Sequence, residues 1–578
     1  MNILGISDMT GNHSHSCAVL LQDGKLLFAL SKERMSRIKN DHRFPIDVVE
    51  KLLSYTQLNP WDIDQIVCPY PPPQYYRSLF SNHWLDLPRS LALTAIMAPW
   101  SLAKTVIPNI RKSIFDPRED HDLQKAGITL QPHYVDHHKS HVAAAYAESP
   151  FDDCLGISWG GFAPHLDGKN VAGAVYRCQG EKISFLEDIP MPATGCTYSG
   201  FTVSLGLKYM QQESKVTALA TLGNPKAAID ELNSVVTRFD NGKWLPYRYW
   251  VDYILSPRPA VFLKTRTAKK LEKWKNRYTP QDIAAAAQEA WSETVIHAIR
   301  HFCQEYKCSK LALAGGTFLN HAINQKLLQQ NEIDEIFIHP HTGDGSTPIG
   351  AALLYEQSLS GKLARFNHFD TAWGCEFSEI DIESAIQKNQ ESLTIVSLND
   401  PIEFAANRIA WGEIIGWYQG RDEYGPRAMG SRSILADPRL TNHRKKINVD
   451  IKQREPYLPL GISILKEQAS TYLEDFSSDP FMTRLYTMND AAQRVLLSAG
   501  DTNHRVRAGA VWPSDKPFRK LLEKFYMLTG IPCVLHSSLN LHGEPIVHTP
   551  DDAIQFLLKS DLDRLIMGTL SLKRKHKG

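Results

Sequence analysis

Residues 420–439, GRDEYGPRAMGSRSILADPR, constrain the fold of this chain more than any other stretch. Arg421, Arg427, Arg432 and Arg439 alternate with Gly420, Gly425, Pro426 and Gly430, just after the apolar, strand-like run EIIGWY at 413–418. Glycines let an anion approach backbone N–H groups, and arginine forks grip phosphate or carboxylate oxygens with paired bonds. Guanidiniums this close repel one another unless acids or a bound anion offset them. Asp422, Glu423 and Asp437 supply part of that balance. Two readings follow: a phosphate-binding loop, or a surface loop tied by structural ion pairs.

The chain of 578 residues is long enough for two domains with full cores. A net charge of +1 creates no global field toward nucleic acid or membrane, so neither is expected as a partner. Its nine cysteines form no C-x-x-C pair, which fits reduced thiols in a cytoplasmic protein. The opening MNILGIS lacks the basic and long apolar parts of a signal peptide. The apolar stretch 91–100 is broken by Thr94 and Pro99, and reads as a buried helix, too short to span a bilayer.

The chain starts as a β-meander: strand 2–7, polar turn 8–13, strand 16–21, the tight turn Asp23-Gly24, and strand 25–29. A strand at 155–158 runs into Gly160-Gly161. Another at 311–314 runs into Gly315-Gly316 and a helix-like 318–330. A double glycine between strand and helix presents free N–H groups to a phosphate, making Gly315, Gly316 and the following Asn320 candidate cofactor contacts. The interval 355–371 loses periodicity. The expected division is a first domain at 1–357, a linker at 358–372 and a second α/β domain at 373–578. No sequence repeat is visible. The basic run 263–277 reads as a solvated helix face.

His137-x-x-x-His141 is the candidate metal motif, because residues four apart on a helix share a face. Asp344, between Gly343 and Gly345, is the expected third ligand, and this set suits iron or zinc. Packed histidines bonded to neighbours are the competing reading. Lys39 and Lys215 are isolated cations able to neutralise developing phosphate charge, although Glu33–Arg37 also reads as a helical ion pair. In the second domain, Lys452-x-Arg454 and the later Ser538-x-Asn540 pair cations with polar orienting groups.

Taken in order, these segments resemble the O-carbamoyltransferase family of antibiotic and nodulation-factor biosynthesis over nearly the whole chain. The resemblance runs through Glu33-Arg34, Lys39, His137-x3-His141, Glu213-x-Lys215, Gly315-Gly316, residues 420–439, Lys452-x-Arg454-Glu455 and Gly543-Glu-Pro. It implies an actin/hexokinase-like first domain and a YrdC-like second domain. The second would use ATP and carbamoyl phosphate to form carbamoyl-adenylate. The first, with a divalent metal, would pass the carbamoyl group to a hydroxyl of a small acceptor. By the same resemblance, His13, Lys39 and Lys215 belong to the transfer site, and His137, His141 and Asp344 to the metal. Arg421, Arg427, Arg432, Lys452, Arg454, Ser538 and Asn540 belong to the adenylation site. Segments 70–100 and 244–277 would line the acceptor pocket.

This chain departs from the family pattern at identifiable points. Trp159-Gly160 stands where the family has a metal-binding Asp before Gly, so Trp159 is expected at the metal. Leu458, Ala510 and His542 stand where the family has arginines. Arg505 or Arg507 offers a replacement cation. Two further readings stay open: an adenylate-forming enzyme with a carboxylate donor, and a non-catalytic nucleotide-binding partner.

Overall fold

The computed structural model describes residues 1–7, 15–70, 123–256, 259–366, 370–477 and 479–575. His13, the turn at 8–13 and the helix expected at 91–100 lie outside these residues, as does nearly all of segment 70–100. The chain forms two compact α/β units. The first is Met1–Lys32 with Asn40–Asn367, and the second is Glu33–Lys39 with His368–Gly578. Seven residues from near the N-terminus therefore belong to the second unit, which the linear division at 358–372 does not anticipate. The linker is also shorter at its start than expected. Helix Thr347–Ser360 runs through Ser358 and ends at Gly361, whose φ of 74° gives the left-handed cap that glycine adopts without a Cβ penalty.

The first unit repeats one sheet plan. Strands β1 (Asn2–Ile6), β2 (Cys17–Gln22) and β3 (Lys25–Ser31) form a meander, and β4 (Gln65–Cys68) and β5 (His133–Tyr134) extend it in the order β3-β2-β1-β4-β5. Then β6 (Asp153–Pro164), β7 (Asn170–Gln179) and β8 (Lys182–Ile189) form a second meander. After a small ribbon of β9 (Arg238–Asp240) and β10 (Lys243–Leu245), β11 (Lys310–Ala314) and β12 (Glu335–Ile338) complete the order β8-β7-β6-β11-β12. Strand directions match too: the meander pairs are antiparallel, and β1 with β4, like β6 with β11, is parallel. This is the duplicated, hairpin-led architecture expected of an actin/hexokinase-like fold, present as a topological repeat without a sequence repeat.

Each half continues from its fifth strand into a helix: His137–Glu148 after β5, and Thr347–Ser360 after β12 and a turn at Asp344–Ser346. The two helices pack together. At Gly350 a side-chain Cβ would lie 1.7 Å from the carbonyl oxygen of Ser140, so only glycine permits this approach. That contact brings the residues before one helix alongside the histidines of the other.

The second unit is built on a nine-stranded mixed sheet. Its strands are β13 (Leu393–Ser397), β14 (Ile415–Tyr418), β15 (Arg432–Ala436), β16 (Gly461–Leu465), β17 (Leu485–Thr487), β18 (Arg505–Val511), β19 (Cys533–Ser538), β20 (Arg564–Met567) and β21 (Leu570–Arg574). They lie in the order β13-β21-β20-β14-β15-β19-β16-β18-β17. The glycine- and arginine-rich segment links the antiparallel neighbours β14 and β15. Helices Pro401–Ala410, Pro517–Thr529 and Pro550–Lys559 bury apolar faces in the unit's core with Trp417, Ile434, Leu535 and Ile566.

Candidate active sites

In the first unit, the sequence DHHKSH starts a helix. The Asp136 carboxylate accepts from the Lys139 N–H at 2.9 Å, a side-chain cap. His137 and His141 share a face, with ring centroids 4.7 Å apart at 89°. His138 points elsewhere, its Nδ1 3.1 Å from Ser158 Oγ and its Nε2 3.3 Å from the Ala163 carbonyl oxygen. Burial lowers the His138 pKa to about 4. The donor atoms of His137, His141 and Asp344 lie within 4.8 Å of one another.

Neighbouring groups orient this trio. The Ser346 hydroxyl donates to the Gly343 carbonyl at 3.1 Å, leaving its oxygen to accept Nδ1–H of His141 at 2.8 Å. The Nε2 lone pair of His141 then faces Asp344 Oδ1, 3.6 Å away. A ring nitrogen fixed by a hydrogen bond on its far side is the usual support of a metal-binding imidazole, so these residues fit a divalent ion. Tyr70 closes one side, its ring centroid 4.5 Å from that of His137 and its hydroxyl 3.5 Å from Asp344 Oδ2. Burial raises the Tyr209 phenol, with Cys196, Glu213 and Asp344 adding to the shift; burial also raises the Glu213 carboxyl. Lys215 is buried on the helix that Glu213 begins.

Trp159 is not at the metal candidate. Its indole is fully buried, meets Trp244 and Trp291 edge-on, and donates Nε1–H to the Ala193 carbonyl at 2.8 Å. It belongs to the hydrophobic core, which corrects the expectation drawn from the family pattern. The double glycine is also partly structural. Gly315 has φ 98°, and a Cβ there would lie 2.4 Å from the Trp159 carbonyl oxygen. Gly316 faces open space. Asn320 is engaged at both ends: its oxygen caps helix His321–Leu328, and its amide donates to Gln288 Oε1 at 2.9 Å.

One group that sequence reading missed supports the metal helix. His165 has Nδ1 2.7 Å from Asp136 Oδ2 and Nε2 2.7 Å from Asp188 Oδ1. Burial works against its charge, but the two carboxylates prevail and raise its pKa to about 9. Asp136 is held below the usual carboxylate range despite burial, chiefly by His165. The sequence signal was weak, because His165 lies in a turn far from the helix it anchors.

In the second unit, the four loop arginines divide. Arg432 is fully buried, with Nε 2.9 Å from Asp422 Oδ1. Its Nη atoms donate to the carbonyls of Gln419 at 3.0 Å and Gly420 at 2.9 Å, and its guanidinium carbon lies 3.7 Å above the Tyr418 ring. Arg439 pairs with Asp437 at 2.6 Å. Arg421 donates to the carbonyls of Trp373 at 2.6 Å and Gly374 at 2.8 Å. Glu423 organises the loop by accepting from the N–H groups of Met429, Ser431 and Arg432. Arg421 and Arg432 thus help to hold the loop's shape. Arg427 differs: burial and then Arg507 lower its pKa, with Asp479 opposing.

Arg427 meets a second set of cations. Lys452 is buried, and its ammonium donates to the Ser538 carbonyl, to Ser538 Oγ at 3.3 Å and to Asn540 Oδ1 at 3.1 Å. Burial, followed by Arg454, Lys39 and Arg507, pushes its pKa well down. Arg454 donates Nε–H to Asn448 Oδ1 at 2.8 Å. Burial and then Arg507 lower Arg454 to about 10, while burial lowers Arg507 to the same value against the pull of Asp479. The sequence candidates Lys452, Arg454, Ser538 and Asn540 are therefore brought together, and Arg507 joins them. Arg505 does not, because its Nη2 pairs with Asp501 at 2.9 Å.

Lys39, expected at the transfer site, lies on the segment that groups with the second unit and acts electrostatically on Lys452. Residues 33–39 are fixed on the second unit by Arg34, which donates to the carbonyls of Glu423 at 3.0 Å and Gly425 at 3.2 Å. Arg37 adds bonds to the carbonyls of Ile546 at 2.6 Å and Pro545 at 2.9 Å. Lys39 itself lies 3.2 Å from Glu33.

The chain thus joins a duplicated α/β unit that holds a His/His/Asp cluster to an α/β unit that holds a group of buried cations. The family profile described as carbamoyltransferase N-terminus matches residues 2–353, and that described as carbamoyltransferase C-terminus matches residues 406–574. The chain belongs to the carbamoyltransferase family and is an enzyme of that class. It is 29% identical over 578 residues to nodulation protein NolNO of Sinorhizobium fredii, covering 98% of this chain and 80% of that protein. Nodulation protein NolO of Bradyrhizobium diazoefficiens is 32% identical over 447 residues, 76% of this chain and 79% of its own. The 3'-hydroxymethylcephem-O-carbamoyltransferase of Amycolatopsis lactamdurans is 25% identical over 450 residues, 75% and 79% of the two chains.

Proposed function

We propose that this protein moves a carbamoyl group from carbamoyl phosphate, through a carbamoyl-adenylate made with ATP, to a hydroxyl of a small biosynthetic acceptor. The observation that carries the reading is the cluster of Lys39, Arg427, Lys452, Arg454 and Arg507, with Asp479 and Glu455 as the opposing acids. Burial lowers the pKa values of Arg427, Lys452, Arg454 and Arg507, mutual repulsion adds to this at the first three, and a bound polyanion would relieve that repulsion. Ser538 and Asn540 hold the Lys452 ammonium in place, so it meets a phosphate without reorganising.

The balance of the first reaction is explicit. Water cleaves the P–O bond of carbamoyl phosphate, giving phosphate and carbamate. The carbamate oxygen attacks the α-phosphorus of ATP, and pyrophosphate leaves. In the second reaction the acceptor hydroxyl attacks the carbamoyl carbon, its proton is lost and AMP departs. AMP is a far better leaving group than hydroxide, which is the reason to activate.

In the first unit, His137, His141 and Asp344 would hold a divalent metal, and iron and zinc both suit this nitrogen and oxygen set. When bound, such an ion supplies Lewis acidity to a carbonyl or phosphoryl oxygen. Ser346 keeps the His141 ring in the required tautomer, and Asp136 with His165 holds the start of the helix that carries both imidazoles.

The test is formation of AMP and pyrophosphate from ATP by the purified protein, with and without carbamoyl phosphate. Formation that depends on carbamoyl phosphate is the expected result. Formation with a carboxylate but not with carbamoyl phosphate would replace this reading with the altered-donor one. Absence of both would overturn it.

A further inference from the structure

The net charge of +1 is the balance of unequal parts. Residues 243–277 carry ten Lys or Arg against two acids, so this segment holds +8 and the rest of the chain −7. The fold sorts these charges. Helix Arg266–Lys275 buries Thr267, Ala268, Leu271 and Trp274. At 3.6 residues per turn, Arg266, Lys269, Lys270 and Lys273 fall on the opposite face, and all four are exposed.

A helix face that is merely solvated mixes signs, with acids three or four residues from cations. This one does not. Among the described residues Lys269, Lys270 and Lys273 make no ion pair, and the one acid of the helix, Glu272, pairs with Lys275 at 2.9 Å. Like charges three and four residues apart destabilise a helix unless an outside anion offsets them. The preceding turn adds to the stripe. Arg266 donates to the Tyr249 hydroxyl at 2.9 Å, and its guanidinium lies 5.0 Å from that ring, with Arg248 at 5.5 Å. The Lys270 ammonium lies 5.6 Å from the Tyr247 ring. Leu245 and Leu263 are exposed, one two residues before Tyr247 and the other two residues before the capping Thr265.

The residue types select the partner. Lysine is depleted from specific protein interfaces, whereas a diffuse layer of negative charge attracts it without demanding fixed geometry. Single-stranded nucleic acid needs open aromatic faces for stacking, but Tyr247 is buried and Tyr249 carries two guanidiniums. Cations on one helix face beside exposed leucines match the surface of an anionic bilayer. No helix among the described residues is long and apolar enough to cross a membrane, so the contact is peripheral. We propose that the face formed by Arg266, Lys269, Lys270 and Lys273 docks the first unit on anionic lipid headgroups, with Leu245 and Leu263 at its margin.

The test is co-sedimentation of the full chain with vesicles of phosphatidylcholine alone, or with about 30 mol% phosphatidylglycerol. Wild type should pellet with the anionic vesicles, stay in solution with the neutral ones, and be released as added salt screens the contact. The triple variant Lys269→Gln, Lys270→Gln, Lys273→Gln should bind at least about tenfold more weakly at unchanged melting temperature. The same three positions changed to arginine should bind as wild type does. Lys182→Gln, Lys226→Gln, Lys388→Gln, a triple variant of exposed lysines elsewhere, should also keep wild-type binding. Equal loss in the two glutamine variants, equal binding to both kinds of vesicle, or no binding overturns the proposal. So does a short DNA duplex that displaces the protein from the vesicles through the same three lysines, which would assign the face to nucleic acid. Neither ATP nor carbamoyl phosphate is present, so the outcome is independent of the reaction scheme.

Discussion

Arg427 and Arg432 lie five positions apart in one loop and face opposite fates. Arg432 is enclosed with Asp422, and both side chains are fully excluded from solvent. Removing one partner of a buried pair strands the other charge, so Arg432→Ala should lower the stability of the second unit by about 3–5 kcal/mol. Arg427→Ala should cost clearly less stability but weaken ATP-dependent AMP formation. Denaturant titration and the AMP assay on both variants check this, and equal destabilisation would contradict the division of roles. His165 gives a pH test of the same kind. Its folded pKa of about 9 exceeds the ordinary 6.5, so its charge-pair contribution is fully present below pH 6.5 and is lost as pH rises through 9. Allowing for solvent screening, this is about 1–2 kcal/mol. The stability gap between wild type and His165→Asn should therefore narrow between pH 6 and pH 10. A gap that stays constant over that interval would mean His165 acts by packing alone.

At the scale of elements, legibility followed the length of the pattern. The helix beginning at His137 was readable because i,i+4 spacing carries the shared face in sequence, and the helix at 347 placed Asp344 opposite it. The duplicated sheet was not readable: repeat topology needs strand direction and order, which different side chains satisfy in each half. Trp159 shows the complementary error. Its neighbours match a ligand motif, but a strand turns successive side chains to opposite faces, and the indole goes to the core while Ser158 meets His138. Trp159→Asp should thus destabilise the first unit, since it buries a carboxylate among Trp244 and Trp291. His137→Ala with His141→Ala should instead leave the fold melting near wild type and remove bound metal, as measured by elemental analysis of the purified protein. Unchanged metal content would take the metal elsewhere.

Across the whole molecule, the chain leaves its first unit after Lys32, contributes residues 33–39 to the second unit, and returns at Asn40. Sequence order hides this, because nothing in SKERMSRIKND signals that its partners lie several hundred residues away. The physical content is a set of charge-assisted bonds from two arginines to backbone carbonyls. Arg34, nearly sealed from solvent, serves Glu423 and Gly425 in the arginine-rich loop; Arg37 serves Pro545 and Ile546 and lies 3.4 Å from Asp552. Bonds of this type contribute about 1.5–3 kcal/mol each when made in place of water. Replacing both arginines by alanine in the full chain should therefore loosen the segments they hold without touching the first unit's sheets. Hydrogen exchange reads this by region: protection should fall at 420–431 and 545–552 and persist in β1, β6 and β11. Because the same segment delivers Lys39 toward Lys452, the double variant should also lose AMP formation more than Lys39→Ala does alone. Exchange that rises uniformly over both units, or not at all, would show that residues 33–39 are a passive connection. In that case a polypeptide of residues 368–578 should bind ATP as well as the full chain does.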